Sequence, residues 1–497
     1  MGICQKEEAR FAKSHHYPQK VKMNHSRLFL FAAGAGLMTA CAPQNAKTAM
    51  DEAFAEAQRM ADSITVPTFC ADTFNITSFG ASTTADANTN KAAICAAIDS
   101  CSATGGGVVL IPNGAWTTGP LTLKSNVNLH LADSASLLFS TNYADYAETV
   151  VTRWEGLDCQ NLHPLIYADS TVNVAITGKG VIDGQGSNDN WWFMKGKKAY
   201  GYEEGKLNQK PARDMLLAYD RNNTPLGDRK VFGVEDALRP QLVNICNSRN
   251  VLIEGVTLKN SPFWTLHPLN ITDLTVRGVR FDNYGPNGDG CDPEGCKNVL
   301  IEDCFFNTGD DCIAIKSGRN NDGRRSARPT ENVYVRNCEM ANGHGGVVLG
   351  SEISGGFKNL WVENCKMDSP ELDRVIRIKT SDCRGGVIEN VWVRNVTVGK
   401  CDECVLKINL LYEPEENCDH IYPPIVRNVN LKNVTSSSSK YGVFIDGLAS
   451  SPTNVENINV EDCHFNGVEK GNKISAATNV NFTGLFINGE EIAAPEL

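Results

Sequence analysis

The chain has 497 residues, 41% of them hydrophobic, and a formal net charge of -11 at pH 7. That supports a large buried core. It argues against a nucleic-acid partner or a purely electrostatic hold on a membrane surface. An acidic protein that handles a polyanion must gather its positive charge locally, so clustered Arg and Lys are the feature to find.

In chain order, Arg27 precedes an apolar run at 28–40 that ends in small residues before Cys41. The run is too short to span a bilayer, and its layout is that of a secretory signal. Leu37-Met-Thr-Ala-Cys41 resembles a bacterial lipobox, which implies cleavage before Cys41 and lipid on its thiol. Met23 is the better start for such a signal, so residues 1–22 read as an over-long start. Lys6 occupies the Ser/Thr position of a myristoylation signal, which rules that reading out. The expected plan is a signal at 23–41, a linker with a short helix at 42–66, and one domain at 67–497 with an insert at 186–240.

Met50, Phe54, Ala57 and Ile64 are at roughly helical spacing. Asn88–Ser100 reads as a second helix that opens the domain and caps it. Gly105 to Pro112 then reads as a turn and a buried strand.

Repeats follow. Asn126-Val-Asn-Leu-His, Asn173-Val-Ala-Ile, Asn250-Val-Leu-Ile-Glu and Asp273-Leu-Thr-Val-Arg share one form, as do strands beginning at Asn298, Asn332, Asn359, Asn390, Asn428 and Asn457. The pattern is Asn, apolar, variable, apolar, charged: a short strand with one face buried. Spacings of 23–38 residues between 250 and 457 disfavour fixed propeller blades and suit a parallel β-helix with turns of unequal length. The recurring Asn is expected at a tight turn in left-handed geometry. The insert 186–240, with Trp191, Trp192, Phe193, Tyr200, Tyr202, Tyr219 and several cations, is expected to line a binding site.

Of 18 cysteines, Cys304, Cys338, Cys365 and Cys463 each follow a similar strand ending, which predicts a stacked interior ladder of small hydrophobes. Cys401-Asp-Glu-Cys404 is compatible with a disulfide or with half a metal site. It lacks a matching second half, so no zinc is expected.

Four motifs crowd into residues 287–379: Asn287-Gly-Asp289-Gly-Cys-Asp292, Gly309-Asp310-Asp311-Cys312, Gly343-His344-Gly345-Gly346 and Arg377-Ile-Lys379. Each falls near the end of a repeated strand, so successive turns would stack them in one cleft. Adjacent Asp310 and Asp311 would face opposite ways in a regular strand, so the chain must bend there, which Gly309 permits. Two neighbouring carboxylates do not both ionise cheaply. One protonated acid and one ionised base is what glycoside hydrolysis needs. Arg377 and Lys379 alternate onto one face of a half-buried strand, where a substrate carboxylate is the natural partner.

In order and wording these motifs resemble the polygalacturonase family of inverting glycoside hydrolases, family 28, in its bacterial branch. The resemblance covers about residues 70–490 and includes Ser261-Pro-Phe-Trp-Thr-Leu-His267-Pro. It implies an all-β, single-domain, right-handed parallel β-helix that cleaves α-1,4-linked galacturonan without a cofactor or metal. It implies Asp310 as general acid, Asp289 and Asp311 as the pair that activates water, and His344 as the catalytic-site histidine. Arg377 and Lys379 would bind the galacturonate carboxylate, with Tyr412 as a further substrate contact. Gly288 departs from the family, where many members have Thr. The implied partner is pectic polysaccharide or an oligogalacturonide, met by an exported monomer whose membrane link is its lipid. The long insert and the basic loop 318–329 suit exo action, in which Arg324, Arg325 and Arg328 either hold a terminal sugar or are merely solvated. An inverting mechanism further predicts acid and base carboxyls about 6.5–9.5 Å apart. The alternatives are a rhamnogalacturonan or xylogalacturonan hydrolase, a pectate lyase, or a non-catalytic polysaccharide-binding β-helix.

Overall fold

The structure is a computed structural model that describes residues 48–414 and 416–496. The signal segment and Cys41 lie outside the described residues. The chain winds as a right-handed parallel β-helix, as the repeats predict. Every repeat strand lies in one long sheet in unbroken parallel register. Val299 pairs with Leu274 and Val333, Leu360 pairs with Val333 and Val391, and the series continues to Val429, Ile458 and Val480.

Each repeat asparagine takes a left-handed φ, from 56° to 66° between Asn126 and Asn457, and so does Asp273 at 63°. That geometry frees the side chain to bond along the stack. Asn332 Nδ2 donates to Asn298 Oδ1 at 3.0 Å, Asn359 to Asn332 at 2.9 Å and Asn390 to Asn359 at 2.9 Å. The ladder therefore does two jobs: it turns the chain, and it satisfies polar groups at a corner where each would otherwise lack a partner.

The registers also place Cys304, Cys338, Cys365 and Cys463 in one interior column, completed by Val279, Val396, Val434 and Leu485. All four cysteines are buried free thiols. Cys401 and Cys404 are also unpaired and buried. The sequence did not announce the disulfide that does form, Cys383–Cys418.

A second face carries the site. One sheet of this face runs from Leu121–Thr122 to Leu266–Leu269, and another from Ile313–Ile315 to Lys473–Ser475. The motif around Asp289 joins them, because Cys291 bridges to both Leu266 and Ile313.

Helix α1 (Ala49–Ser63) starts with Thr48 as N-cap and Asp51 closing a capping box. Its apolar stripe, Met50, Phe54, Ala57 and Met60, packs on Leu300, Tyr334 and Trp361, on the outside of the long sheet. Helix α2 (Ala87–Ala103) buries Ile94, Ala97, Ile98 and Cys101 in the main core beside the first strands, where it covers the end of the solenoid. Two helices absent from the repeat pattern are α3 (Lys210–Arg221), inside the insert, and α4 (Asn320–Ser326), in the basic loop. No helix among the described residues is long and apolar enough to cross a membrane.

Candidate active site

The motif residues meet in one cleft of about 390 Å³. Asp310 and Asp311 occupy a bend between the strands Phe305–Thr308 and Ile313–Ile315, as the adjacent carboxylates required. A Cβ on Gly309 would lie 2.6 Å from the Tyr284 carbonyl oxygen, so the bend admits no side chain there. Gly290 N–H donates to the Asp311 carbonyl, which places Asp289 directly beside Asp311 on the neighbouring rung. The following rung contributes Gly345. A Cβ there would stand 2.3 Å from Val348 Cγ2 and 3.1 Å from Asp311 Oδ1. Glycine in the histidine motif therefore makes room for the aspartate.

One carboxylate oxygen each from Asp289, Asp310 and Asp311 lie within 4.8 Å of one another. These are nearest-oxygen distances, which are shorter than the separation of whole carboxyl groups that the expectation of about 6.5–9.5 Å refers to. Asp289 stands on the rung next to Asp311, and Asp310 adjoins Asp311 in sequence at the bend, which brings the three together. The burial also differs among the three. The Asp311 side chain is 0% exposed and Asp310 is 22% exposed. Asp310 is thus the member open to a ligand, and Asp311 lies too deep to bond to a sugar carbon.

Arg377 and Lys379 do project from one strand face into the cleft, but the expectation of a free carboxylate clamp needs correction. Lys379 Nζ is 2.7 Å from Asp311 Oδ2 and Arg377 Nη1 is 3.5 Å from Asp311 Oδ1. Tyr412 lies against both cations, its ring centre 5.7 Å from the Arg377 guanidinium and 5.3 Å from the Lys379 ammonium. The buried Asp311 therefore holds the two cations in place, and their remaining donors face the cleft beside Tyr412.

The proton also rests elsewhere than expected. Burial acts to raise Asp310, but the His344 hydrogen bond and charge outweigh it and hold the carboxyl well below the usual range. His344 Nδ1 is 3.0 Å from Asp310 Oδ1. That bond raises the imidazole, against the effect of burial. Asp289 is pushed up to about 7 by burial and by the charge of Asp310. Within the trio the elevated carboxyl is therefore Asp289, and the Asp310–His344 bond favours carboxylate on Asp310 and imidazolium on His344.

Beneath the trio is a group that sequence reasoning missed. Lys316 is buried with its ammonium 3.6 Å from Asp289, 3.5 Å from Asp292 and 3.2 Å from Glu352, and 4.4 Å from the centre of the Trp264 ring. Its signal was present: it continues the outward alternation from Ala314 on the motif's own strand. Trp264, from the Ser261–His267 segment, lines the cleft. His267 of the same segment is fully buried against Glu294 at 2.9 Å and is not among the residues that line the cleft.

The insert behaves differently from expectation. Trp191 is fully buried in the main core, and the Trp192 indole N–H donates to the Ser261 carbonyl at 2.9 Å. The cations Lys195, Lys197 and Arg213 are what reach the cleft. The basic loop is likewise structural. Arg324 stacks on Tyr422 at 3.6 Å, Arg325 pairs with Asp322, and Arg328 donates to the Gly295 and Asn270 carbonyls. Arg319 reaches the cleft but is surrounded by Glu155, Glu352, Glu413 and Glu416. None of Arg324, Arg325 and Arg328 lines the cleft.

The family model for glycosyl hydrolases family 28 matches residues 228–486. A probable polygalacturonase from Vitis vinifera is 28% identical over 359 residues, covering 70% of this chain and 65% of its own length. An exo-poly-alpha-D-galacturonosidase from Dickeya chrysanthemi is 27% identical, covering 73% of this chain and 63% of its own. The chain thus spans somewhat less than two thirds of these two relatives. A hyperthermoactive exopolygalacturonase from Thermotoga maritima, known by crystal structure, superimposes with a TM-score of 0.84 at 37% identity. It covers 88% of this chain and 97% of its own.

Proposed function

The chain belongs to the glycosyl hydrolases of family 28, and from that premise we propose that it hydrolyses α-1,4-galacturonosidic bonds in pectic polysaccharide. The observation that carries the reading is the convergence of Asp289, Asp310 and Asp311 within 4.8 Å, in a cleft walled by Arg377, Lys379 and Tyr412. Asp289, which lines the cleft, activates the attacking water, with Asp311 buried behind it as the second carboxylate of the pair. The Asp310–His344 pair protonates the leaving oxygen. A sugar that covers the pair strips water from it, which disfavours the separated charges and moves the proton from imidazole to carboxyl. Arg377, Lys379 and Tyr412 hold the uronate carboxylate.

An activated water is the nucleophile in this reading, and the product therefore inverts. The test is twofold. Asp310→Asn should lower kcat by about 10²–10⁴-fold, the usual contribution of a positioned acid. Proton NMR of the first product should show the inverted anomer. Full turnover by the variant overturns the assignment of Asp310, a retained anomer overturns water attack, and an unsaturated product absorbing in the ultraviolet favours a lyase.

We infer exo action from the similarity to the Thermotoga maritima exopolygalacturonase, and from the insert's cations at the cleft. Early release of a single short product from polygalacturonate supports it, and a ladder of intermediate lengths opposes it. Export with a lipid on Cys41, and action as a monomer, are also part of the proposal. Export and the anchor rest on the segment 28–41, and palmitate labelling abolished by Cys41→Ser checks the anchor.

A further inference from the structure

Positive charge in the cleft is unevenly spent. Arg377 and Lys379 are both paired with Asp311, and Lys316 and Arg319 are each ringed by carboxylates. Lys195 differs. It follows from the short helical turn Trp192–Lys195 of the insert and lines the same cleft. Its ammonium donates to Asn287 Oδ1 at 2.8 Å. Among the described residues no carboxylate oxygen lies within 4.0 Å of it. Arg239 donates to the same Asn287 oxygen at 2.9 Å, so that acceptor is already shared. Two of the three protons of the Lys195 ammonium are left for a ligand. Asn287 is two residues before Asp289, which ties the ammonium to the catalytic trio through the motif itself.

We propose that Lys195 is a specificity-determining residue that binds the carboxylate of a second uronate ring, on the insert side of the scissile bond, opposite the ring held by Arg377 and Lys379. The assignment rests on the hydrolase reading above. Half-buried cations without a counter-ion are costly, and an incoming carboxylate is the group that relieves the cost. Burial already pulls the Lys195 ammonium below the usual lysine value. Lys197, also lining the cleft, adds a second ammonium at the rim. A chain with a neutral sugar at this position would leave Lys195 unpaired, so the site discriminates against esterified or neutral residues there.

Two measurements test the inference separately from the activity. In the first, trigalacturonate kinetics compare wild type, Lys195→Gln and Lys195→Arg. The expected result is a KM raised about 10–100-fold in Lys195→Gln, the usual range for losing a charged contact. Its kcat should change far less, and Lys195→Arg should recover most of the loss. In the second, amine acetylation read by mass spectrometry is applied to Asp310→Asn, which keeps the ligand intact. Trigalacturonate should protect Lys195 while the exposed Lys198 continues to react. An unchanged KM in Lys195→Gln, or equal acetylation of Lys195 with and without trigalacturonate, overturns the inference and leaves the hydrolase reading standing. Wild-type protein that neither cleaves nor binds trigalacturonate overturns both.

Discussion

Lys379→Met is the most informative single change, because it separates holding the site together from binding substrate. Asp311 is fully buried, and its oxygens are 2.7 Å from Lys379 and 3.5 Å from Arg377. Removing one partner of a buried pair typically costs about 3–5 kcal/mol, since the remaining charge is stranded. Here Arg377 stays, which puts the expected loss near the low end, at about 3 kcal/mol. With an unfolding entropy of about 2.1 cal/mol/K per residue, a chain of this length loses roughly 1 °C of Tm per kcal/mol, so the shift should be about 3 °C. Asp311→Asn alone should cost a similar amount. The double variant Asp311→Asn/Lys379→Met should be less damaged than the sum of the two by about 1–3 kcal/mol, as expected for contacting charges. Lys379 is raised above its usual value: burial opposes the shift, but Asp311 outweighs it. Its stability contribution is therefore complete below about 10.5 and is lost only as pH climbs through the higher folded value. Chemical denaturation at pH 7, and again as the pH is raised above about 10.5, measures all of this. Strict additivity, or a Lys379→Met protein as stable as wild type, would refute the view that Asp311 organises the two cations.

Three further outcomes follow from the same structure. In His344→Asn the alkaline limb of the pH–rate profile should move to lower pH. That limb reports the proton shared by the pair, and without the raised imidazole the proton belongs to a carboxyl alone; an unmoved limb contradicts the shared proton. Reducing Cys383–Cys418, which closes a separation of 35 residues, should cost up to about 4 kcal/mol by loop entropy. It should also weaken substrate binding, because Tyr412 and Glu413 line the cleft from inside that loop; denaturation and KM with and without reductant check both. Glu416 is held down to about 2, because Arg319 and Arg384 outweigh the effect of burial. Its stabilisation is complete above about pH 4.5 and disappears as pH falls towards 2, so Glu416→Gln should flatten the acid arm of the stability curve between those values.

The solenoid was legible because its determinants are local and repeated. An asparagine that accepts left-handed φ and an alternation of apolar residues recur whatever the length of the loops between them. The same repeat made it possible to predict that Asp289, Asp310, Asp311, His344, Arg377 and Lys379 would share a cleft, and that Cys304 and Cys338 would stack inside. What neighbours do to one another was not legible. The proton moves from Asp310 to His344 and Asp289 because burial and hydrogen bonding are three-dimensional sums. Trp191 of the insert turns inward and Trp192 bonds to Ser261, while Lys195 turns to the cleft against Asn287. Cys383 and Cys418 pair across a loop with no repeat to mark it. Sequence alone determined the turns of the helix and the residues that the turns align. Only the tertiary structure decided which charges neutralise each other and that Lys195 is left for a ligand, because a charge's partner is set by distance and burial rather than by position along the chain.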